Sequence, residues 1–490
     1  MGINYNFSSF LEWEGLQEQY EFKKAYIPEK SININKITIS RDEEYNIKGF
    51  IYGDNNPDFH SNDAKGMAGQ RINPLEITGS GKHGIQQFNL RHCYIGGVST
   101  SHKLERDEQY TTQYQAELRV FEVEKKTSTE SEANSLTEWF LNGPNQDFLF
   151  CRSTERVYSE KYHLERSELK NKEINGESVS HDRDYLLVEL TDFKFIIQQV
   201  PKELGPKWSN NIGIEYRKEF GRIPNESERE GISEIVSFIF GKHLLKVGYT
   251  EYDENGYLLK QISQNPWGNN VVSKCRNSGS YPIKIDNYDS WGRAETLLSE
   301  LVPKYLEYRE ELNLKNALWS FWISDDVPVG TNIPIIANAL EILKKGWFKS
   351  NKSKTKGVYL PKSQFDQLLN ESFEEIERKL SGLEYADRML RRMKGSFNMG
   401  VNESLDFFFD EIGLPIGDVD KKAIAARNAM IHDKHGTSEE ALDLIIFYSK
   451  VYKTLFHRVF LKLLSYDGSY IDYSIIGWPE KHINEVTNVK

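Results

Sequence analysis

The spacing of apolar positions changes period once along the chain, near residue 287. Before that point period two dominates. In "YQAELRV", Tyr114, Ala116, Leu118 and Val120 fall on one face and Gln115, Glu117 and Arg119 on the other, the alternation of a half-buried strand. "YLLVEL" (185–190) and "FKFIIQQV" (193–200) read as further buried strands. "KVGYTEYDENGYLLKQI" reads as a hairpin, because Asn255-Gly256 suits a tight turn that needs positive φ. One helix interrupts this half: Asn225, after Pro224, can cap "ESEREGISEIVSFIFGKHLL". "SNDAKGMAGQRINPLEITGSGKHG" reads as loop.

From about Tyr288 the period is helical. "RAETLLSELVPKYLEYREEL", "NLKNALWSFWI" and "IPIIANALEILKKGWF" are candidate helices, followed by a basic, Ser-rich linker, "KSNKSKTKG" (349–357). Phe365, Leu368, Leu369, Phe373, Ile376 and Leu380 then recur at three-to-four spacing and predict one apolar stripe. "YADRMLRRMKGSF", "NESLDFFFDEIG" and the closing "SEEALDLIIFYSKVYKTLFHRVFLKLLS" complete the half. The fold class expected is α+β: a β-rich domain over 1–287, then an all-helical bundle over 288–490, with no internal repeat of fixed period.

A length of 490 residues agrees with two or three domains. With 38% hydrophobic residues, 28% charged residues and a mean hydropathy of −0.61, the chain reads as a soluble protein. No apolar run is long enough to span a bilayer. The stretch "MGINYNFSSFLEWEG" lacks the basic-then-apolar layout of a secretory signal, and Asn6 stands where a myristoylation pattern needs Ser or Thr. Cys93, Cys151 and Cys275 lie far apart and form neither a metal-ligand pair nor a disulfide framework, so the cytoplasm is the expected compartment. The net charge of −11 argues against a dedicated duplex-DNA binder. It leaves room for a nuclease in which a small basic pocket holds a few phosphates.

"RNAMIHDKHG" (427–436) carries the sharpest chemistry. "GDVDKKAIAARNAMIH" has Asp418 or Asp420 as a cap, an Ala-rich interior, and Ala423, Ile424, Met430 and Ile431 for a buried side. Gly436 is a natural stop, and Thr437 with Glu440 makes a capping box for the last helix. Asn428 and His432, four apart, share a face. Arg427 and His432, five apart, differ by roughly 140° around an ideal helix. They meet only if the Arg reaches around a fraying helix end, or if it comes from a second copy across a symmetric interface. A neutral His can take a proton from a 2′-hydroxyl or give one to a leaving oxygen. A guanidinium can bind phosphate and stabilise charge building on phosphorus. No Asp/Glu/His cluster in this half has metal-binding spacing, so the expected chemistry needs no cofactor. Against this, an Arg and a His near a helix C-terminus are favoured by the helix dipole alone, and "RVYSEKYH" (156–163) fits the same loose spacing within the strand-rich half.

"RNAMIH" between two helices is similar to the Arg-Asn-x-x-x-His signature of HEPN ribonucleases, and the likeness covers about the last 200 residues. "LSYDGSYIDYS" (464–474) resembles the ending of one branch, the ApeA-type anti-phage proteins, in which a β-rich domain precedes the HEPN domain. "FSSFLEWEGLQEQYEFKKAYIPEKSININKITIS" looks like that branch's opening. The resemblance implies an endoribonuclease of abortive infection that cuts RNA, tRNA being one candidate. It implies a homodimer or higher homo-oligomer with a composite site, and a phage-derived trigger sensed by the β-rich half. By position, Arg427 would bind phosphate, Asn428 would be the accompanying polar residue and His432 the general acid/base. Asp433 stands where the family often has Gly, and Lys434 and His435 would offset its charge. Some HEPN domains bind RNA or partners without cleaving, and that is the alternative.

Other candidates weigh less. Arg388, Arg391, Arg392 and Lys394 would steer RNA, or form a solvated helix face. Glu341, in "NALEILKK", reads as a plain surface Glu, although in the family a helix-borne acid approaches the Arg. "GSGKHG" (79–84) lacks the earlier Gly and the final Ser/Thr of a phosphate loop and reads as a Gly-rich surface loop. Trp319 and Trp322 read as core. Arg91, His92 and Cys93 are adjacent, so a Cys-His pair on one strand would point to opposite faces.

Overall fold

The structure is a computed structural model that describes residues 20–28, 32–53, 74–81, 86–104, 110–127, 131–144, 149–164, 172–200, 209–266, 280–285, 292–431 and 439–486. Its class is α+β, an antiparallel sheet region followed by helices. Two compact units divide the chain: 1–226 with 243–276 and 285–299, and 227–242 with 277–284 and 300–490. Most of the helix that interrupts the β-rich half belongs with the second unit. None of the described helices is long and apolar enough to cross a membrane.

The first unit holds fourteen strands in one antiparallel sheet among the described residues. Six of them are β1 (Tyr20–Ile27), β2 (Ile32–Arg41), β3 (Ile47–Gly53), β4 (Leu75–Gly81), β5 (Gln86–Leu104) and β6 (Tyr110–Arg119). They pair in the order β4-β1-β2-β3-β6-β5, and β5 pairs back with β4, so this part closes into a barrel. Its core includes Phe22, Ile37, Ile39, Ile51, Ile77, Phe88, Leu90, Cys93, Ala116 and Leu118. The predicted alternation in "YQAELRV" is met at Ala116, Leu118 and Val120, all buried. "LEITGSG" belongs to strand β4, not to loop, which corrects the expectation there. Gly79 is required in this wall because a Cβ would meet Phe88 Cζ at 2.5 Å and Ala25 Cα at 3.0 Å. His92 takes φ 53°, and the irregular pairing beside it lets Leu90 and Cys93 both face inward.

Beyond the barrel the sheet continues through β7 (Glu122–Thr127) and β8 (Ser135–Leu141), then β9 (Arg152–Leu164), β10 (Lys172–Glu189), β11 (Lys194–Gln199) and β12 (Ile212–Arg217), and finally β13 (Leu245–Tyr252) and β14 (Leu258–Gln264). Their order is β7-β14-β13-β8-β12-β11-β10-β9. Leu186, Val188, Phe195 and Ile197 are buried at alternate positions, so each of these two strands buries one face. The β13–β14 hairpin turns as expected. Gly256 has φ 79°, and Asp253 Oδ1 accepts the N–H groups of Asn255 at 2.9 Å and Tyr257 at 2.8 Å.

The second unit contains α1 (Glu226–Ile239), which starts right after Asn225, and most of α2 (Arg293–Tyr308). It also holds α3 (Leu314–Asp326), α4 (Asn332–Lys349), α5 (Lys362–Leu380), α6 (Ala386–Lys394), α7 (Val401–Glu411), α8 (Asp418–Ile431) and α9 (Glu439–Leu463), with a small hairpin of β15 (Ser469–Ile471) and β16 (Glu480–His482). Helix α9 is buried along its second half. Phe321 stacks on Phe456 at 4.3 Å, and Phe238 meets Phe460 at 4.4 Å. Trp322 is core as expected, whereas Trp319 is 37% exposed. The stripe on α5 is narrower than predicted: Phe365 and Phe373 are buried and Leu368 is 65% exposed.

Arg458 of α9 has no solvent access. Its Nη1 lies 3.4 Å from Asp420 of α8, and its Nη2 donates to the carbonyls of Pro415 at 2.6 Å, Glu485 at 3.3 Å and Ile483 at 3.5 Å. Its guanidinium also lies over the Tyr470 ring at 5.3 Å. The tail "LSYDGSY" is thus architectural: Leu464 and Tyr470 are buried, and Tyr466 packs so closely on Gly468 that no Cβ fits. Asp420 is not the N-cap of α8. It sits at the third helical position, and its carboxylate accepts the Gly417 N–H at 3.0 Å, the reciprocal half of a capping box.

His457 lies fully buried among the rings of Phe321 at 5.2 Å, Phe238 at 5.8 Å and Tyr473 at 5.9 Å. Neither ring nitrogen has a hydrogen-bond partner among the described residues. Burial, with the nearby Lys453 ammonium adding to it, holds the imidazole neutral to well below its ordinary pKa of 6.5. The unfolded chain binds a proton there near pH 6.5 and the native state does not, so the native state loses stability as pH falls below about 6.5. Urea unfolding between pH 7.5 and 5 will show this fall, and His457→Phe, which suits an aromatic cage, will flatten it. Arg458→Met will cost about 3–5 kcal/mol in the same assay, because it strands the buried Asp420.

Candidate active site

Arg427 sits near the C-terminal end of α8, four residues after the buried Ala423, so it leaves the helix on the face packed inward. That helix packs on α4 and α9. Arg427 Nη1 lies 3.8 Å from Oε1 of Glu341 on α4, an ion pair too long for a hydrogen bond. The Arg427 side chain is 26% exposed, and its Nε is buried with no hydrogen-bond partner among the described residues.

Glu341 is not the surface residue expected. Its side chain is 13% exposed, and Lys344, one turn on, approaches Oε2 at 2.9 Å. Lys344 Nζ also donates at 2.8 Å to Ser404 Oγ on α7, which donates at 2.8 Å to the Val401 carbonyl. One carboxylate thus faces two cations, and the nearer one is Lys344. Arg427 is held in place yet only partly neutralised, which leaves positive charge for an anion at the end of α8. Tyr452 of α9 is buried beside the pair. Burial pushes its phenol far above the ordinary range, with Glu341 adding to the rise and Arg427 opposing it.

The backbone of Asn428 continues α8, but its side chain lies outside the described residues, as do His432, Lys434, His435, Gly436 and Thr437. Helix α8 is described as far as Ile431. Arg388, Arg391 and Arg392 are exposed on α6, a helix that packs against α5, and no described interaction links them to Arg427. Sequence reasoning missed Lys344, Ser404 and Tyr452. The one legible signal was the three-residue spacing from Glu341 to Lys344, which puts both on one helix face.

The competing candidates separate by position. "RVYSEKYH" lies within strand β9, where Arg156 pairs with Ser180 and His163 with Glu173. Gly79, Ser80 and Gly81 of "GSGKHG" belong to β4, and residues 82–84 lie outside the described residues. Cys93 is buried in the barrel, while His92 is exposed. Among the described residues no group of three or more His, Cys, Asp or Glu side chains could hold a metal ion. Compared with models of protein families, with curated proteins and with solved structures, the chain matches none.

The two ion pairs at Glu341 differ in strength. Glu341→Leu strands the buried Lys344 and will cost about 2–4 kcal/mol in urea unfolding. Arg427→Ala removes only the longer, partly exposed pair and will cost below about 1 kcal/mol. The opposite ranking would mean that Arg427, not Lys344, is the structural partner of Glu341.

Proposed function

We propose that the protein is a metal-independent endoribonuclease of the HEPN type, acting in anti-phage defence by abortive infection. The observation that carries this reading is Arg427: half-buried, aimed by Glu341, and short of full neutralisation because Lys344 shares the same carboxylate. Such a group is preorganised for phosphate at little reorganisation cost. His432 is then the general acid/base. It takes the proton of a 2′-hydroxyl, the freed oxygen attacks phosphorus, Arg427 meets the charge that builds there, and the 5′-oxygen departs with a proton. The products carry a 2′,3′-cyclic phosphate and a 5′-hydroxyl.

One His serves as base or as acid in a given step, and two copies supply both roles. A homodimer with a composite site accommodates this, and with it the five-residue spacing of Arg427 and His432. Leu442, 53% exposed, and Ile446, 46% exposed, share a face near the start of α9 and offer an apolar seam for a second copy. The substrate is RNA, with tRNA the class whose loss halts translation, in the cytoplasm. Asn428, Lys434 and His435 flank the phosphate, Arg388, Arg391 and Arg392 offer an outer basic face, and the β-rich unit senses a phage-derived trigger.

A second reading has one observation in its favour: Arg427 is already ion-paired. In it the helical unit binds RNA or a partner and does not cut. The full-length protein incubated with total RNA in EDTA separates the two. Cleavage to 2′,3′-cyclic phosphate ends, lowered about 10²–10⁴-fold in Arg427→Ala and His432→Ala, is expected from the enzyme. Both variants will also lose protection in phage challenge. RNA left intact by the parent protein, or variants that cut and protect as well as it does, would reject the nuclease.

A further inference from the structure

The outer wall of the barrel in the first unit carries a polar cavity that ribonuclease chemistry does not use. Strand pairing aligns Tyr26, Thr78, Asn89 and Glu124 in one row across β1, β4, β5 and β7, and Ser80, Gln87 and Lys126 in the next. Directly opposed residues project to the same face, and Arg91, two positions beyond Asn89, joins them. These residues line an open cavity of about 620 Å³. That volume lies within the roughly 300–1,000 Å³ of small-molecule sites.

The charges there are ordered around one carboxylate. Glu124 is 6% exposed on its side chain, yet Arg91 Nη2 at 2.8 Å, Lys126 Nζ at 2.9 Å and Lys260 Nζ at 3.5 Å surround it. Burial acts to raise its pKa, and the three cations outweigh burial and hold it ionised. Arg91 Nη1 also meets Glu122 at 3.0 Å. Lys260 also faces Glu251, so of the three cations Arg91 and Lys126 are the ones at the open side. Arg91 and Lys126 keep 39% and 53% of their side chains exposed.

Neutral groups complete the lining. Asn89 Oδ1 is buried without a hydrogen-bond partner among the described residues, an acceptor that a ligand donor would satisfy. Thr78, Ser80 and Gln87 add hydroxyl and amide groups, and Tyr26 contributes a ring that is 39% exposed.

We propose that this cavity binds a nucleotide, with the phosphate on the Arg91–Lys126 side, the base against Tyr26 and a base or sugar donor on Asn89. Two partly exposed cations, an unmet acceptor and an exposed ring match the three parts of such a ligand. The site lies wholly in the first unit and stands apart from the ribonuclease reading.

The test is calorimetric titration of the full-length protein with AMP, GMP, CMP and UMP, with adenosine and ribose 5-phosphate as partial ligands. At least one nucleotide is expected to bind once per chain, about tenfold or more tighter than either partial ligand, and more weakly as salt rises. Tyr26→Ala and Gln87→Leu, which leave the ion pairs around Glu124 intact, and Arg91→Gln should each weaken binding about tenfold, with circular dichroism reporting the fold. Should Arg91→Gln fail to fold, the first two variants decide. Binding of none of the four nucleotides, ribose 5-phosphate binding as tightly as the nucleotides, or undiminished binding by Tyr26→Ala and Gln87→Leu would each overturn the proposal.

Discussion

Arg458 is a full positive charge with no access to water, and the second unit is arranged around that fact. Such a charge is stable only when its donors are met at close range. Its Nη1 and Nη2 are met by groups from three places: Asp420 at the start of α8, the Pro415 carbonyl before it, and the Ile483 and Glu485 carbonyls at the C-terminal side. One side chain on α9 therefore sets where α8 begins and where the C-terminal segment returns. The direction of α8 decides where Arg427 emerges, about two and a half turns later. The active-site candidate inherits its position from a residue that takes no part in its chemistry.

The same electrostatic device appears in each unit. A nearly buried carboxylate is shared among more cations than it can neutralise: Glu341 between Lys344 and Arg427, Glu124 among Arg91, Lys126 and Lys260. Burial raises the cost of an unpaired charge, so the carboxylate holds its cations firmly. Arg427, Arg91 and Lys126 keep part of their side chains at the edge that water, or an anion, can reach. The net charge of −11 hides both places, because a sum over the chain says nothing of where the cations are gathered.

Three of the buried polar groups without hydrogen-bond partners among the described residues contrast with one another. His457 sits in an aromatic cage where no ligand can reach it, and its cost is met by staying neutral. Arg427 Nε and Asn89 Oδ1 lie beside partly exposed cations, at the two places where a phosphate-bearing molecule suits the chemistry. Depth and neighbours, not residue type, separate an inert group from one poised to bind.

Period-two and helical patterning fix the α+β class, the Asn255-Gly256 turn and the inward face of "YQAELRV", because each depends on neighbours within a few residues. The start of α1 and the candidate Arg427 were legible for the same reason. The barrel closure between β4 and β5, the strand in "LEITGSG", and the grouping of α1 with the second unit were not. Gly79 looks like loop until Phe88 fills the space its side chain would take. Glu341 looks like surface until Lys344 and Arg427 close on it. The sequence by itself determined the elements and the residue types able to meet a phosphate. Only the tertiary structure decided which charges share a carboxylate, because a pairing between residues 86 apart, such as Glu341 and Arg427, leaves no local pattern to read.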